Sequence, residues 1–95
     1  MFFLIVFVDF KNKKDMDLFI INFKILQNYC LTNESDFLIQ YEYALSDKKD
    51  NRIVIIEKYL NKNYYLNIHK KSNEFLYFKS LISKIDCDIS GESFF

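Results

Sequence analysis

Residues 37–60 read Phe-Leu-Ile-Gln-Tyr-Glu-Tyr-Ala-Leu-Ser-Asp-Lys-Lys-Asp-Asn-Arg-Ile-Val-Ile-Ile-Glu-Lys-Tyr-Leu, or FLIQYEYALSDKKDNRIVIIEKYL. Two runs rich in β-branched and aromatic residues flank a charged segment, Ser46 to Asn51. A strand turns successive side chains to opposite faces, so a period of two is its signature. In the first run Phe37, Ile39, Tyr41, Tyr43 and Leu45 fall on one face, and Leu38, Gln40, Glu42 and Ala44 on the other. In the second, Arg52 to Leu60, the residues Ile53, Ile55, Glu57 and Tyr59 share a face. Two such runs joined by a short polar turn predict a β-hairpin.

The segments on either side complete the pattern. Phe2 to Phe10 is β-branched or aromatic almost throughout, which predicts a central strand. Asp15 is placed to cap a following helix, with Asp17 in its first turn. Met16, Phe19, Ile20, Phe23, Leu26 and Cys30 recur at helical spacing and form one apolar stripe, to about Tyr29. Thr32 to Asp36 then reads as a polar loop. Beyond the hairpin, Asn61 or Asn63 can cap a second helix carrying Tyr65, Leu66 and His69. Ser72-Asn73 interrupts it and re-caps a further helix with a stripe of Phe75, Phe78, Ile82 and Ile85. Asp86 to Phe95 alternates through Cys87 and Ile89 and predicts a last strand. The order strand, helix, strand, strand, helix, strand predicts an α+β fold. It is the ferredoxin-like βαββαβ unit, a four-stranded antiparallel sheet with helices on one face, as one domain over 1–95.

Composition excludes several function classes. Thirteen basic and thirteen acidic side chains give a formal net charge of zero, which is no footprint for nucleic acid or an anionic membrane. Gly91 is the only glycine, so no glycine-rich loop can bring backbone against a phosphate. The lysine pairs 48–49 and 70–71 read as solvated surface. Cys30 and Cys87 read as two buried thiols of a reducing compartment. With His69 the only histidine and two distant cysteines, no CxxC or HxxxH ligand spacing is present, and no metal site is expected. The apolar start MFFLIVFVDF lacks a basic leader and ends at Asp9, too soon to span a bilayer. A cytoplasmic protein is expected.

The segment from the third strand onward resembles a known family. Glu57-Lys58-Tyr59 at a strand end, a helix carrying His69, then an aromatic-rich helix with Phe75 and Phe78 resemble the antibiotic biosynthesis monooxygenase domain family. Tyr41 of the second strand and Asp47 and Asp50-Asn51 of the hairpin turn also carry the likeness, which runs from about Phe10 to Ser83. Tyr59 stands where the family usually has Trp, and Glu74 where it commonly has a second His. Ser35-Asp36 replaces a frequent Pro-Gly-Cys, and Lys79 falls nearest to the axial His of haem-degrading relatives.

The resemblance implies a dimeric α+β barrel, a homodimer closed through the uncovered sheet face. It implies a monooxygenase that needs no flavin or metal and acts on a quinol- or anthrone-like aromatic small molecule. Such a substrate, once deprotonated, is electron-rich enough to reduce dioxygen. The protein must take a proton and hold the anion in a dry aromatic pocket. His69 is then the expected proton acceptor, since an imidazole titrates near neutral pH, and Glu57 the carboxylate that orients it. Tyr59, Tyr41 and Tyr65 are the expected substrate-binding residues. The alternative on the same fold is a non-catalytic dimeric module that binds a small ligand or a protein. Haem handling would have only His69 to offer as an axial ligand.

Overall fold

The computed structural model describes residues 1–95. Strand β1 (Phe2–Phe10) leads into helix α1 (Lys13–Asn33), then to the hairpin of β2 (Leu38–Leu45) and β3 (Arg52–Tyr59). A short α2 (Lys62–Tyr64) continues directly into a π-helical turn (Tyr65–His69). Helix α3 (Asn73–Ile82) and strand β4 (Cys87–Phe94) follow. The four strands lie in the order β2-β3-β1-β4, every neighbour antiparallel. This is the α+β ferredoxin-like topology that the order of elements predicts.

The central pair sets the two faces. Phe2 lies opposite Tyr59, Leu4 opposite Glu57, Val6 opposite Ile55 and Val8 opposite Ile53. These residues face the helices, and along β3 burial alternates strictly, with Ile53, Ile55, Glu57 and Tyr59 inside. From α1, Phe19, Phe23, Leu26 and Cys30 press onto this face, joined by Phe78 of α3 in one buried cluster. Phe19 and Phe23 both meet Phe78 edge-on, with centroids 5.3 and 6.2 Å away, an arrangement that ring quadrupoles favour. At the far end of the pair Arg52 forks onto Asp9, its directly paired residue, at 2.7 and 2.9 Å.

The structure corrects the sequence reading at three places. Helix α1 is capped by Asn12, whose side chain accepts from the Asp15 amide at 2.8 Å, and Asp15 is a first-turn residue rather than the cap. The helix also runs on to Asn33 instead of ending near Tyr29. Thr32 and Asn33 read as loop residues, yet their side chains donate back to the carbonyls of Asn28 and Tyr29 at 2.8 and 3.0 Å. Those bonds give the polar side chains local partners without breaking the helix.

The third correction is in β2. Its uniform alternation fails at Ile39, where the register slips between Leu38 and Gln40. The extra residue brings Leu38, paired with Tyr59, onto the same face as Tyr41, paired with Glu57, so both are buried while Ile39 is exposed. Phe37, just before the strand, is buried too. The remaining boundary signals hold: Asn61 caps α2 and Ser72 caps α3, each through its side chain.

The opposite face of the sheet carries no helix. Phe3, Ile5 and Phe7 of β1 and Val54 and Ile56 of β3 point there, none of them fully buried. Ile53 and Ile55 of β3 lie in the core, and the alternate residues of that strand form the open face.

The packing predicts a sharp contrast within α1. Phe23→Ala should cost about 3–5 kcal/mol, while Ile25→Ala, 67% exposed, should stay within about 0.5 kcal/mol. Urea denaturation of the two variants measures both. Equal losses would place Phe23 outside the core.

Candidate functional site

The covered face of the sheet and the two long helices do not close completely. A cavity of about 180 Å³ lies between them. Its floor is Leu4, Val6 and Val8 of β1, Ile55 and Glu57 of β3 and Ile89 of β4. Phe19 and Phe23 of α1 and Phe75, Phe78, Lys79 and Ile82 of α3 form the roof, and Tyr41 and Tyr65 complete the wall. The lining is apolar except for one carboxylate, two phenols and one ammonium group.

Glu57 is the carboxylate. Strand alternation turns it inward between Ile55 and Tyr59, where only 7% of it remains exposed. Its Oε1 accepts a hydrogen bond from the Tyr59 hydroxyl at 2.6 Å. Burial pushes the Glu57 carboxyl above its ordinary range, against the opposing pull of that hydroxyl and of His69. Burial also raises the phenols: Tyr65 to about 12, and Tyr41 and Tyr59 well above the usual tyrosine value. At neutral pH the tyrosines are therefore donors, and Glu57 is the acceptor that faces the cavity.

Of the five residues expected at a site, Glu57, Tyr41 and Tyr65 line this cavity. Tyr59 and His69 are fully buried and stand behind the lining. His69 packs against Tyr41, Phe75 and Tyr59, with ring centroids 5.1, 4.9 and 5.4 Å away. The carboxylate bonded to it is not that of Glu57. Glu34 Oε1 lies 2.9 Å from His69 Nδ1, and Cys30 Sγ lies 3.8 Å from the same nitrogen. The sequence reading left Glu34 in a polar loop. Because α1 continues to Asn33, Glu34 becomes its C-cap, one turn beyond Cys30 and turned inward. The spacing Cys30-x-x-x-Glu34 was the available signal, since residues four apart share a helix face.

The π-helical turn brings His69 to this place. Lys70 donates its amide to the Tyr65 carbonyl at 3.0 Å, a bond spanning five residues. Such wider turns re-aim side chains and recur at functional sites. Lys79, nearest to an axial-ligand position in the sequence reading, lies at the cavity with an exposed side chain.

No family model matches the sequence, and no curated protein matches it significantly. Solved structures do match in shape. A protein of unknown function from Bacteroides thetaiotaomicron, described as a "possible oxidoreductase", superposes with a TM-score of 0.83. It is 25% identical, over 98% of this chain and 94% of that one. A protein from Nitrosomonas europaea, named a "putative antibiotic biosynthesis monooxygenase", gives a TM-score of 0.85 at 14% identity, covering 100% and 97% of the two chains. One from Caulobacter crescentus with the same name gives 0.83 at 15% identity, covering 98% and 87%. The chain is thus an α+β protein with a ligand-sized cavity between its sheet and its helices. Its fold is the one shared by these antibiotic biosynthesis monooxygenase-like proteins, as the sequence resemblance implies. No helix is long and apolar enough to cross a membrane.

The buried carboxylate gives a pH signature. Because the folded-state value of Glu57 is raised, the native state holds its proton more tightly, and stability is lost as pH rises through that folded value. Glu57→Gln, uncharged at any pH and still able to accept from Tyr59, should match the wild type in acid and exceed its thermal midpoint at neutral pH. Melting curves across pH 4 to 8, roughly the range spanned by shifted carboxyls, measure the gap. A constant gap would mean that Glu57 is not destabilised by its charge.

Proposed function

We propose that this protein is a cofactor-independent monooxygenase that oxidises a small, single-ring quinol-type phenol. The observation that carries this reading is Glu57, a desolvated carboxyl facing a mostly aromatic and aliphatic cavity whose other charged group is Lys79. A carboxyl with a raised value is closer to neutral pH, where proton transfer from a phenol is best matched. The cavity, at about 180 Å³, resembles in size the engineered apolar cavity of roughly 150 Å³ that holds benzene. One substituted ring suits it. A fused three-ring anthrone does not, which narrows the expectation from the sequence.

In this reading the substrate hydroxyl gives its proton to Glu57, not to His69. The tyrosines Tyr41 and Tyr65 donate to the substrate oxygen that becomes anionic, and Lys79 at the cavity supplies positive charge to hold it. The anion is then the reductant for dioxygen, so the protein adds no redox group of its own. His69 and Tyr59 serve as positioning residues behind Tyr41 and Glu57. The names of the structural neighbours, two of them monooxygenases and one a possible oxidoreductase, support an oxygenase on this fold.

The test is dioxygen consumption with a panel of single-ring quinols, using wild type, Glu57→Gln and His69→Gln. Loss of about a hundredfold or more in Glu57→Gln, the range for a general base, with retained turnover in a folded His69→Gln, supports Glu57. The reverse pattern would return the proton acceptor to His69. No turnover above autoxidation in the wild type would reject the enzyme and favour the binding module.

The open sheet face belongs to the same proposal. Phe3, Ile5, Phe7, Val54 and Ile56 form an apolar surface, and a second copy of the chain would cover it in an isologous contact. Ile56→Lys should shift the mass in solution from dimer to monomer or aggregate. A dimer unchanged by this substitution and by Ile5→Asp would place the contact elsewhere.

A further inference from the structure

Cys30, Glu34 and His69 form a second constellation, separate from the cavity, which none of the three lines. Cys30 and His69 have no exposed surface, and Glu34 is only 4% exposed. One donor atom from each falls within 4.8 Å of the other two. Two of these residues lie one turn apart on α1, and the third is delivered by the π-helical turn. We propose that these side chains form a buried structural site for a divalent cation of the zinc class.

Donor chemistry gives the class. A thiolate, an imidazole and a carboxylate are the set that zinc and its first-row neighbours take, whereas magnesium and calcium want oxygen alone. Two of the three donor separations fit with small movements. The third, sulfur to carboxylate oxygen, lies within 4.8 Å and closes as the ion draws the ligands in. Usual zinc bond lengths in a tetrahedron put sulfur and nitrogen about 3.6 Å apart and nitrogen and oxygen about 3.3 Å apart. Here Cys30 Sγ lies 3.8 Å from His69 Nδ1, and Glu34 Oε1 lies 2.9 Å from it. The sulfur need come in by about 0.2 Å and the carboxylate back off by about 0.4 Å on the same bond lengths. The short contact holds a proton between nitrogen and oxygen, and the cation takes that proton's place.

Charge and hydrogen bonding point the same way. A divalent ion with one thiolate, one carboxylate and a neutral imidazole has no net charge, which is what a dry interior tolerates. Glu34 Oε2 is buried without any partner, an arrangement that ordinarily costs free energy. Bidentate coordination by Glu34 would employ that oxygen and complete four ligands without a water. Metal at Nδ1 also leaves the ring hydrogen on Nε2, which has no partner of its own and sits among the rings of Tyr41, Tyr59 and Phe75. An N–H bond accepts that aromatic setting better than a bare lone pair does. On binding, the Cys30 thiol releases its proton to water, and the imidazole proton displaced from Nδ1 is exchanged onto Nε2. One proton is released in all, and no electron moves. The site would pin the end of α1 to the π-helical turn.

The experiment is titration of chelator-treated full-length protein with cobalt(II) chloride, followed by competition with zinc chloride and magnesium chloride. The expected result is one equivalent bound, with a thiolate-to-cobalt charge-transfer band in the near ultraviolet. Zinc should displace the band and magnesium should not. Cys30→Ser should abolish it and lower affinity by more than the roughly 10–100-fold typical of losing an outer-shell partner, while Cys87→Ser should change neither. X-ray absorption on the zinc-loaded wild type should find one sulfur and one imidazole per zinc, a reading that stands even if a variant fails to fold. No stoichiometric binding, a band retained in Cys30→Ser, or a zinc shell without sulfur would overturn the proposal. None of these readouts depends on turnover, so they are independent of the oxygenase reading.

Discussion

The antiparallel pairing of β1 with β3 is the constraint on which the rest depends. With Phe2 set against Tyr59 and Val8 against Ile53, every even residue of β1 and every odd residue of β3 faces the helices. A slip of one residue would turn Glu57 outward and expose Ile53 and Ile55. Hydrophobic pattern and an end-on ion pair, Asp9 with Arg52, agree on the observed register. The aromatic stripe of α1 then has only one surface to cover. The cavity follows from how α1 and α3 meet over that surface: their phenylalanines touch edge-on and leave space beneath, above Val6, Ile55 and Glu57.

Placing polar groups in such a face carries a desolvation cost, and the molecule offsets it pair by pair. Tyr59 satisfies Glu57, and Glu34 satisfies one nitrogen of His69. Yet the two carboxylates are not equivalent. Glu57 opens onto the cavity. Glu34 is buried at the end of α1, bonded to His69, and does not line the cavity. Two buried acidic residues thus have different surroundings, one at the cavity and one bonded to the histidine.

The fold was largely legible. The unbroken β-branched and aromatic run Phe2–Phe10, the period-two alternation of Arg52–Tyr59 and the helical stripe of Phe19, Phe23, Leu26 and Cys30 marked the central strands and the main helix. The two periods arise because burial on one face imposes them. The site was legible in part. Tyr41, Tyr65 and Glu57 reach the cavity, since strand alternation and helix spacing decide which way they turn. What failed was pairing. Glu57 looked like the partner of His69 because both belong to one stretch of chain, whereas the partner lies 35 residues away at the end of α1.

By itself, then, the sequence determined the order of elements, the shared face of Ile53, Ile55, Glu57 and Tyr59 on β3 and the apolar stripes of the helices, while the structure decided which face is covered. The first three follow from local periodicity. Only the tertiary structure decided which carboxylate meets His69, that Cys30 joins them, and that His69 lies behind the cavity wall. It also decided that β2 slips register at Ile39. Each of these turns on the exact length of α1, a bulge in β2 or a wide turn before Lys70. Such one-residue adjustments are set by packing between distant segments, and they leave no mark on the local period.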